Sequence, residues 1–223
     1  MNHEIITETI RNSEIALYLR EGLLYDIEID NPKYPLYSGL IISGNRQKHD
    51  KERGFTIFKN KELDQEFVVR DMNASDLDHG YFQISKEARP NKIAEAQLSE
   101  ETNVTERRSA CDRLHDKYNA NVTTEPDIID LRGCWEMLQD LQSAEVSLPN
   151  NKGSIAIDET RALTAIDVDL GAANNHLTVN ISAAKLIAKH IKLRRLSGLI
   201  MVDFIRMQKD KHKQDLIKAL EAQ

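Results

Sequence analysis

Leu163-Thr164-Ala165-Ile166-Asp167-Val168-Asp169, and further on Leu199-Ile200-Met201-Val202-Asp203-Phe204, decide how this chain is to be read. Each is an apolar run of strand length, and each ends on acid. The second is almost continuously apolar, the pattern of a strand buried on both faces of a helix-flanked sheet. Ahead of the first, Ile155-Ala156-Ile157 predicts a short strand, and the turn Asp158-Glu159-Thr160 makes the two an antiparallel pair. Between the two runs Ala183, Ala184, Ile187, Ala188 and Ile191 recur at helical spacing, with Lys185, Lys189 and Lys192 turned outward. Asn180 or Ser182 is the expected cap of this helix, and Leu196-Ser197-Gly198 its end.

A strand, a helix and a second strand predict parallel neighbours, because such crossovers are right-handed. Both carboxyl ends then reach one edge of the sheet, where open α/β sheets bind ligands. Side chains alternate along a strand, so Asp167 and Asp169 share a face, and Asp203 stands near the end of its own strand. Carboxylates gathered beside apolar strands need protonation or a cation. Oxygen-only ligands select a hard ion such as Mg²⁺, which keeps waters and contacts phosphate. Spacing alone is equally compatible with aspartates that cap strand ends and bind loop amides.

The rest of the chain reads less clearly. Ile15–Leu19 and Leu23–Ile29 flank Arg20-Glu21-Gly22 as a β-hairpin. Leu36–Ile42 reads as a strand, Ser43–Arg53 as a polar turn and Phe55–Phe58 as a strand that pairs back. Ile93–Leu98 and Arg107–Tyr118 read as helices. Pro126–Gln142 reads as a helix interrupted at Gly133, with Trp135 as its buried anchor.

Net charge is −6, but residues 151–223 carry 12 Lys/Arg against 8 Asp/Glu, a net of +4, which leaves −10 on the first 150 residues. Basic charge therefore sits with the aspartates, and a general nucleic-acid coat protein is disfavoured. Cys111 and Cys134 are too far apart in sequence for a metal knuckle and are expected as small buried thiols. No run approaches membrane-helix length and the start lacks a secretory pattern, so the expectation is a cytoplasmic protein with no membrane. The sequons at Asn103, Asn121 and Asn180 then carry no glycan.

Read as a whole, Glu145 to Leu216 resembles the catalytic part of the ribonuclease E/G family. The resemblance is carried by VSLPNNKGSIAID (Val146–Asp158), TRALTAIDVD (Thr160–Asp169) and VNISAAKLIAKHIKLRRLSGLIMVDFIRM (Val179–Met207), with His212 beyond. A fainter match covers Arg20–Ile27 and Tyr37-Ser38-Gly39. The resemblance implies an α/β fold with a mixed sheet flanked by helices. It divides the chain into a ribonuclease-H-like N-terminal part over 1–144, with a divergent middle, and a deoxyribonuclease-I-like C-terminal part over 145–223.

The resemblance also implies a site. Asp167 and Asp203 match the aspartates that bind Mg²⁺, with Mn²⁺ as a substitute, and Asp169 stands where the family has a third active-site residue, an asparagine. An amide donates a hydrogen bond to a scissile phosphate and a carboxylate cannot. Arg161 and Arg206 replace acids of the family, and Leu170–His176 replaces a longer, more charged loop. Lys192, Arg194 and Arg195 match a basic stretch and are expected, with His212, to contact RNA phosphates; a solvated helix end is the other reading.

The implied activity is endonucleolytic hydrolysis of single-stranded RNA by metal-activated water, leaving 5′-phosphate and 3′-hydroxyl ends. The alternative is a weak or inactive RNA-binding relative, and a protein-interaction module with the Cys134–Met137 region as contact surface is a third reading. No counterpart of the family's OB-type RNA-binding domain, 5′-sensor pocket or zinc link is evident in the sequence, so a monomer or dimer is expected and a zinc-linked tetramer is not.

Overall fold

Two-residue turns open the chain. Strands β1 (His3–Ile10), β2 (Ser13–Arg20) and β3 (Leu23–Asp30) are joined through Arg11-Asn12 and Glu21-Gly22. All four turn residues have positive φ, between 48° and 77°. Two consecutive positive φ values define the type I′ turn, whose twist matches that of the flanking strands. The hairpin expected around Arg20-Glu21-Gly22 is therefore present, with β1 added ahead of it.

The computed structural model describes residues 3–88, 92–149, 153–160 and 162–222. It divides into two compact units, one of Met1–Glu8, Leu17–Ile27 and Ala120–Gln223, the other of Thr9–Ala16 and Glu28–Asn119. The expected division after residue 144 falls inside the first unit, where a four-stranded sheet begins at Glu145. The mixed α/β class holds.

In the second unit β4 (Ile41–Asp50), β5 (Phe55–Asn60), β6 (Gln65–Val69), β7 (His79–Lys86) and β8 (Ala94–Leu98) close a barrel in the order β4-β5-β6-β8-β7. β6 and β8 run parallel and β4 seals against β7. This is the five-stranded Greek-key arrangement of OB folds, so the expectation that no OB-type domain is present is overturned. The barrel escapes sequence reading because its strands are short and their outer faces polar. Ser43–Arg53, expected as a turn, is mostly the strand β4, whose Arg46, Gln47 and Lys48 face solvent. The strand expected over Leu36–Ile42 begins only at Ile41, and Phe55–Phe58 does pair with β4. Ile93–Leu98, expected as a helix, forms β8, since only Ala94 and Ala96 turn inward, a period of two.

Phe58, Phe67 and Phe82 fill the barrel and are fully buried, with the Phe58 and Phe82 rings 4.3 Å apart between centroids. Gly44 makes room for them: a Cβ there would lie 2.6 Å from the Phe67 ring.

Helix α1 (Ala110–Tyr118) falls within the expected segment and starts on a Ser109–Asp112 capping box. β9 (Asn121–Thr123) pairs in parallel with β1, giving the sheet order β3-β2-β1-β9. The expected Pro126–Gln142 helix is broken into α2 (Ile128–Leu131) and α3 (Cys134–Asp140), with Gly133 at φ 64° between them. Trp135 does not anchor it: the indole is 37% exposed, and Ile128, Ile129 and Cys134 face the core instead. Cys134 is the buried thiol expected, and Cys111 is half-buried.

The C-terminal sheet runs β10-β11-β12-β13, built from Glu145–Ser147, Ser154–Glu159, Thr164–Asp169 and Ile200–Asp203. β11 and β12 are antiparallel, and β12 and β13 are parallel across the crossover helix α4 (His176–Leu193), as the sequence predicts. One face is apolar. Ile155, Ile157, Ile166 and Val168 pack there against Val179, Ala183 and Ile187 of α4, each large side chain contributing roughly 1.5–3 kcal/mol of burial. α5 (Asp210–Glu221) packs against α4.

Two expectations for this region are corrected. α4 is capped by Asn175, whose side chain accepts from the Thr178 amide, so Asn180 and Ser182 lie within the helix. β13 is the edge strand of its sheet and is half-buried, with Met201 57% exposed. Its apolar run reflects one packed face only.

Candidate active site

Burial of Ile166 and Val168 fixes the register of β12, because a slip of one residue would exchange the two faces. Asp167 and Asp169 are thereby committed to the opposite, open face together with Ala165. On β13 the same alternation half-buries Ile200 and Val202 and exposes Met201 and Asp203. Asp167 and Asp203 are direct register partners on parallel strands, which places their Cα atoms about 4.8 Å apart. On the other side of Asp167 stands Ala156, and beyond it Glu145, so one row across the sheet reads Glu145, Ala156, Asp167, Asp203.

Both aspartates are exposed. α4 covers the other face of the sheet. Among the described residues no three His, Cys, Asp or Glu side chains are gathered closely enough to ligate one ion. What the sheet offers is a pair of hard oxygen donors with solvent on the remaining side. That suits an ion which takes one or two protein carboxylates and keeps its waters.

Asp169 stands two residues on, opposite Ser154, and its Oδ1 accepts the Gly171 amide at 3.2 Å. It fills the loop-amide role that spacing alone had left open. Gly153 packs against the same turn at φ 98°, and a Cβ there would lie 2.3 Å from the Asp169 carbonyl oxygen.

Of the four residues expected at RNA, three have contacts within the chain. Lys192 lies 3.4 Å from the buried Asp26 carboxylate and 4.1 Å above the Tyr25 ring. Arg194 donates through Nε to His190 Nδ1 at 3.0 Å and through Nη2 to the Ser143 carbonyl at 2.7 Å. Arg195, at φ 52°, donates to the Ile27 carbonyl at 3.0 Å. These contacts give the basic stretch a structural task at the end of α4. His212 is half-buried on α5 and joins no ligand group with Asp167 and Asp203. His190 is 4% exposed. Burial, then the charges of Arg194 and Lys189, pull its pKa down to about 4, so it is a neutral acceptor for Arg194. Arg161 lies outside the described residues.

One residue that matters here was misread as a helix cap. Asn180 is fully buried early in α4, one turn after its start, and its side chain donates to the Ile205 carbonyl at 2.8 Å and accepts the Ile205 amide at 3.1 Å. The signal was available in principle, since Asn180 interrupts the apolar stripe that runs through Ala183, Ala184 and Ile187.

Fold and site together define an α/β protein whose first unit presents an acidic pair on the open face of a sheet and whose second unit contains a five-stranded barrel. Residues 46–223 match the sequence profile of the ribonuclease E/G family. The chain belongs to that family. It is 35% identical to ribonuclease G of Haemophilus influenzae over 114 residues, 48% of this chain and 23% of that protein. It is 32% identical to ribonuclease G of Escherichia coli K12 over 106 residues, 44% of this chain and 22% of that one. A chloroplastic ribonuclease E/G-like protein of Arabidopsis thaliana is 38% identical over 95 residues, 39% of this chain and 9% of its own length. The matched segment thus spans less than a quarter of each of these relatives.

Proposed function

We propose that the chain is an endoribonuclease that hydrolyses single-stranded RNA with Asp167 and Asp203 holding a Mg²⁺ or Mn²⁺ ion. The observation that carries this reading is the register pairing of the two aspartates on an open sheet face in a member of the ribonuclease E/G family. On this reading β1–β3 with β9 correspond to the ribonuclease-H-like part and the sheet β10–β13 to the deoxyribonuclease-I-like part, and the barrel adds a fold that elsewhere binds oligonucleotides. The net +4 of residues 151–223 favours the RNA backbone near the site.

Asp167 and Asp203 supply anionic oxygens from paired register positions on the face opposite the packed core of the sheet. When bound there, the ion supplies charge neutralisation at the scissile phosphate and a nucleophile at neutral pH. Water adds across the P–O3′ bond: its hydroxyl goes to phosphorus, giving a 5′-phosphate, and its proton ends on the 3′-oxygen. Asp169, held to Gly171, presents its second oxygen as an acceptor only.

The test is incubation of end-labelled single-stranded RNA with the protein and Mg²⁺ or Mn²⁺, beside Asp167→Ala and Asp203→Ala. Endonucleolytic products with 5′-phosphates that disappear in both variants support the proposal. Cleavage that survives both substitutions eliminates the site, and RNA binding without cleavage in the unmodified chain makes it a binding relative.

A further inference from the structure

We infer that Asn180 is the positioning residue for Asp203, tethering the main chain just beyond it and so keeping the carboxylate in register with Asp167. The inference rests on the proposed role of that pair. Its ground is the way the ladder ends. Among the described residues β13 is a four-residue edge strand with β12 as its one neighbour, and the pairing stops at Asp167–Asp203. The aspartate therefore occupies the last paired position of a strand with one neighbour, the place where a sheet frays most readily.

Two residues later the chain is caught again. The Asn180 carboxamide exchanges two hydrogen bonds with the Ile205 backbone, at 2.8 and 3.1 Å, the same donor-and-acceptor pairing that a neighbouring strand would offer. His176, one turn earlier on α4, places Nδ1 3.1 Å from the Arg206 carbonyl oxygen. The crossover helix thus takes over where the sheet stops. Asn180 is fully buried and both its polar atoms are used. A residue of that kind in an apolar stripe reduces helix packing unless its hydrogen bonds are needed. Only the side-chain length and the paired donor and acceptor of Asn fit this task, since Asp lacks the donor and Leu lacks both.

Amide hydrogen exchange, without metal, and Mn²⁺ titration are measured on the full chain, on Asn180→Ala and on Asn180→Asp, alongside kcat and KM for RNA cleavage. The expected result is faster exchange at Phe204–Arg206 with unchanged protection in β11 and β12. Mn²⁺ affinity should fall at least about tenfold and kcat with it, while KM stays near its original value. Should both Asn180 variants unfold, His176→Ala, an exposed change on the next anchor, is expected to shift the same amides and the same affinity in the same direction. Unchanged exchange at Ile205, or unchanged Mn²⁺ affinity while cleavage still requires Asp203, overturns the inference. Faster exchange together with cleavage that ignores Asp203 sinks the proposed site and leaves the tether standing.

Discussion

Asp167 and Asp203 face each other across a parallel strand pair, the one register position of that pair at which both strands carry a carboxylate. Two ligands that hold one ion act as a unit, so their removal is not additive. Asp167→Ala and Asp203→Ala are each expected to lower kcat/KM for RNA by about 10³-fold, on the order of 4 kcal/mol. The double variant should lose little more. Steady-state kinetics on the three variants checks this, and losses that multiply would mean two independent roles.

At Asp169 the structure separates two duties. Oδ1 holds the Gly171 amide, and the other oxygen adds negative charge to the face on which an RNA phosphate would sit. Asn keeps the first duty and replaces the second with a donor. Asp169→Asn is therefore expected to raise the cleavage rate roughly tenfold, from about 1–2 kcal/mol of relieved repulsion and added hydrogen bonding. A fall in rate would make Asp169 an ion ligand.

His190 links stability to pH. Its pKa is pulled from 6.5 in the unfolded chain down to about 4 in the folded one, so the unfolded chain takes up a proton in that interval that the folded chain refuses. The stability its neutral form contributes is complete above pH 6.5 and is lost as the pH falls through 6.5 towards 4, by up to ~3 kcal/mol. His190→Asn keeps an acceptor for Arg194 and cannot titrate. Melting temperatures at pH 7 and pH 4.5 should converge less in the original chain than in this variant. Equal acid sensitivity of the two would remove His190 as a cause.

Gly153 tests how tightly the strand end is built. An added Cβ meets the Asp169 carbonyl oxygen at 2.3 Å, at a positive φ that L-residues avoid. Gly153→Ala is expected to cost about 2 kcal/mol or more in unfolding free energy and to lower activity by displacing the Asp169 turn. Denaturant unfolding and the RNA assay read both effects.

How far the sequence could be read follows from where the hydrophobic pattern is simple. β11, β12 and α4 each have one packed face and one polar face, so Ile166 and Val168 point inward and Asp167 outward by period alone. β13 misled because its outward residue is Met201, an apolar side chain on an exposed edge, which makes a half-buried strand look fully buried. The barrel stayed hidden for the opposite reason. Its inward residues include Gly44, Ala94 and Ala96, too small to mark a strand, and closure between β4 and β7 is a long-range fact that no local pattern carries. Lys192, Arg194 and Arg195 were expected at RNA from their match to a basic stretch of the family, and their partners within the chain, Asp26, Ser143 and Ile27, come from remote parts of it that no local pattern shows.

The central claim is that Asp167 and Asp203 hold one divalent ion between them. Counting bound Mn²⁺ by electron paramagnetic resonance in the unmodified chain, Asp167→Ala and Asp203→Ala tests it without reference to RNA. One ion per chain, displaced by Mg²⁺ and lost in each single variant, is the predicted result. Mn²⁺ binding that is the same in all three proteins would contradict it.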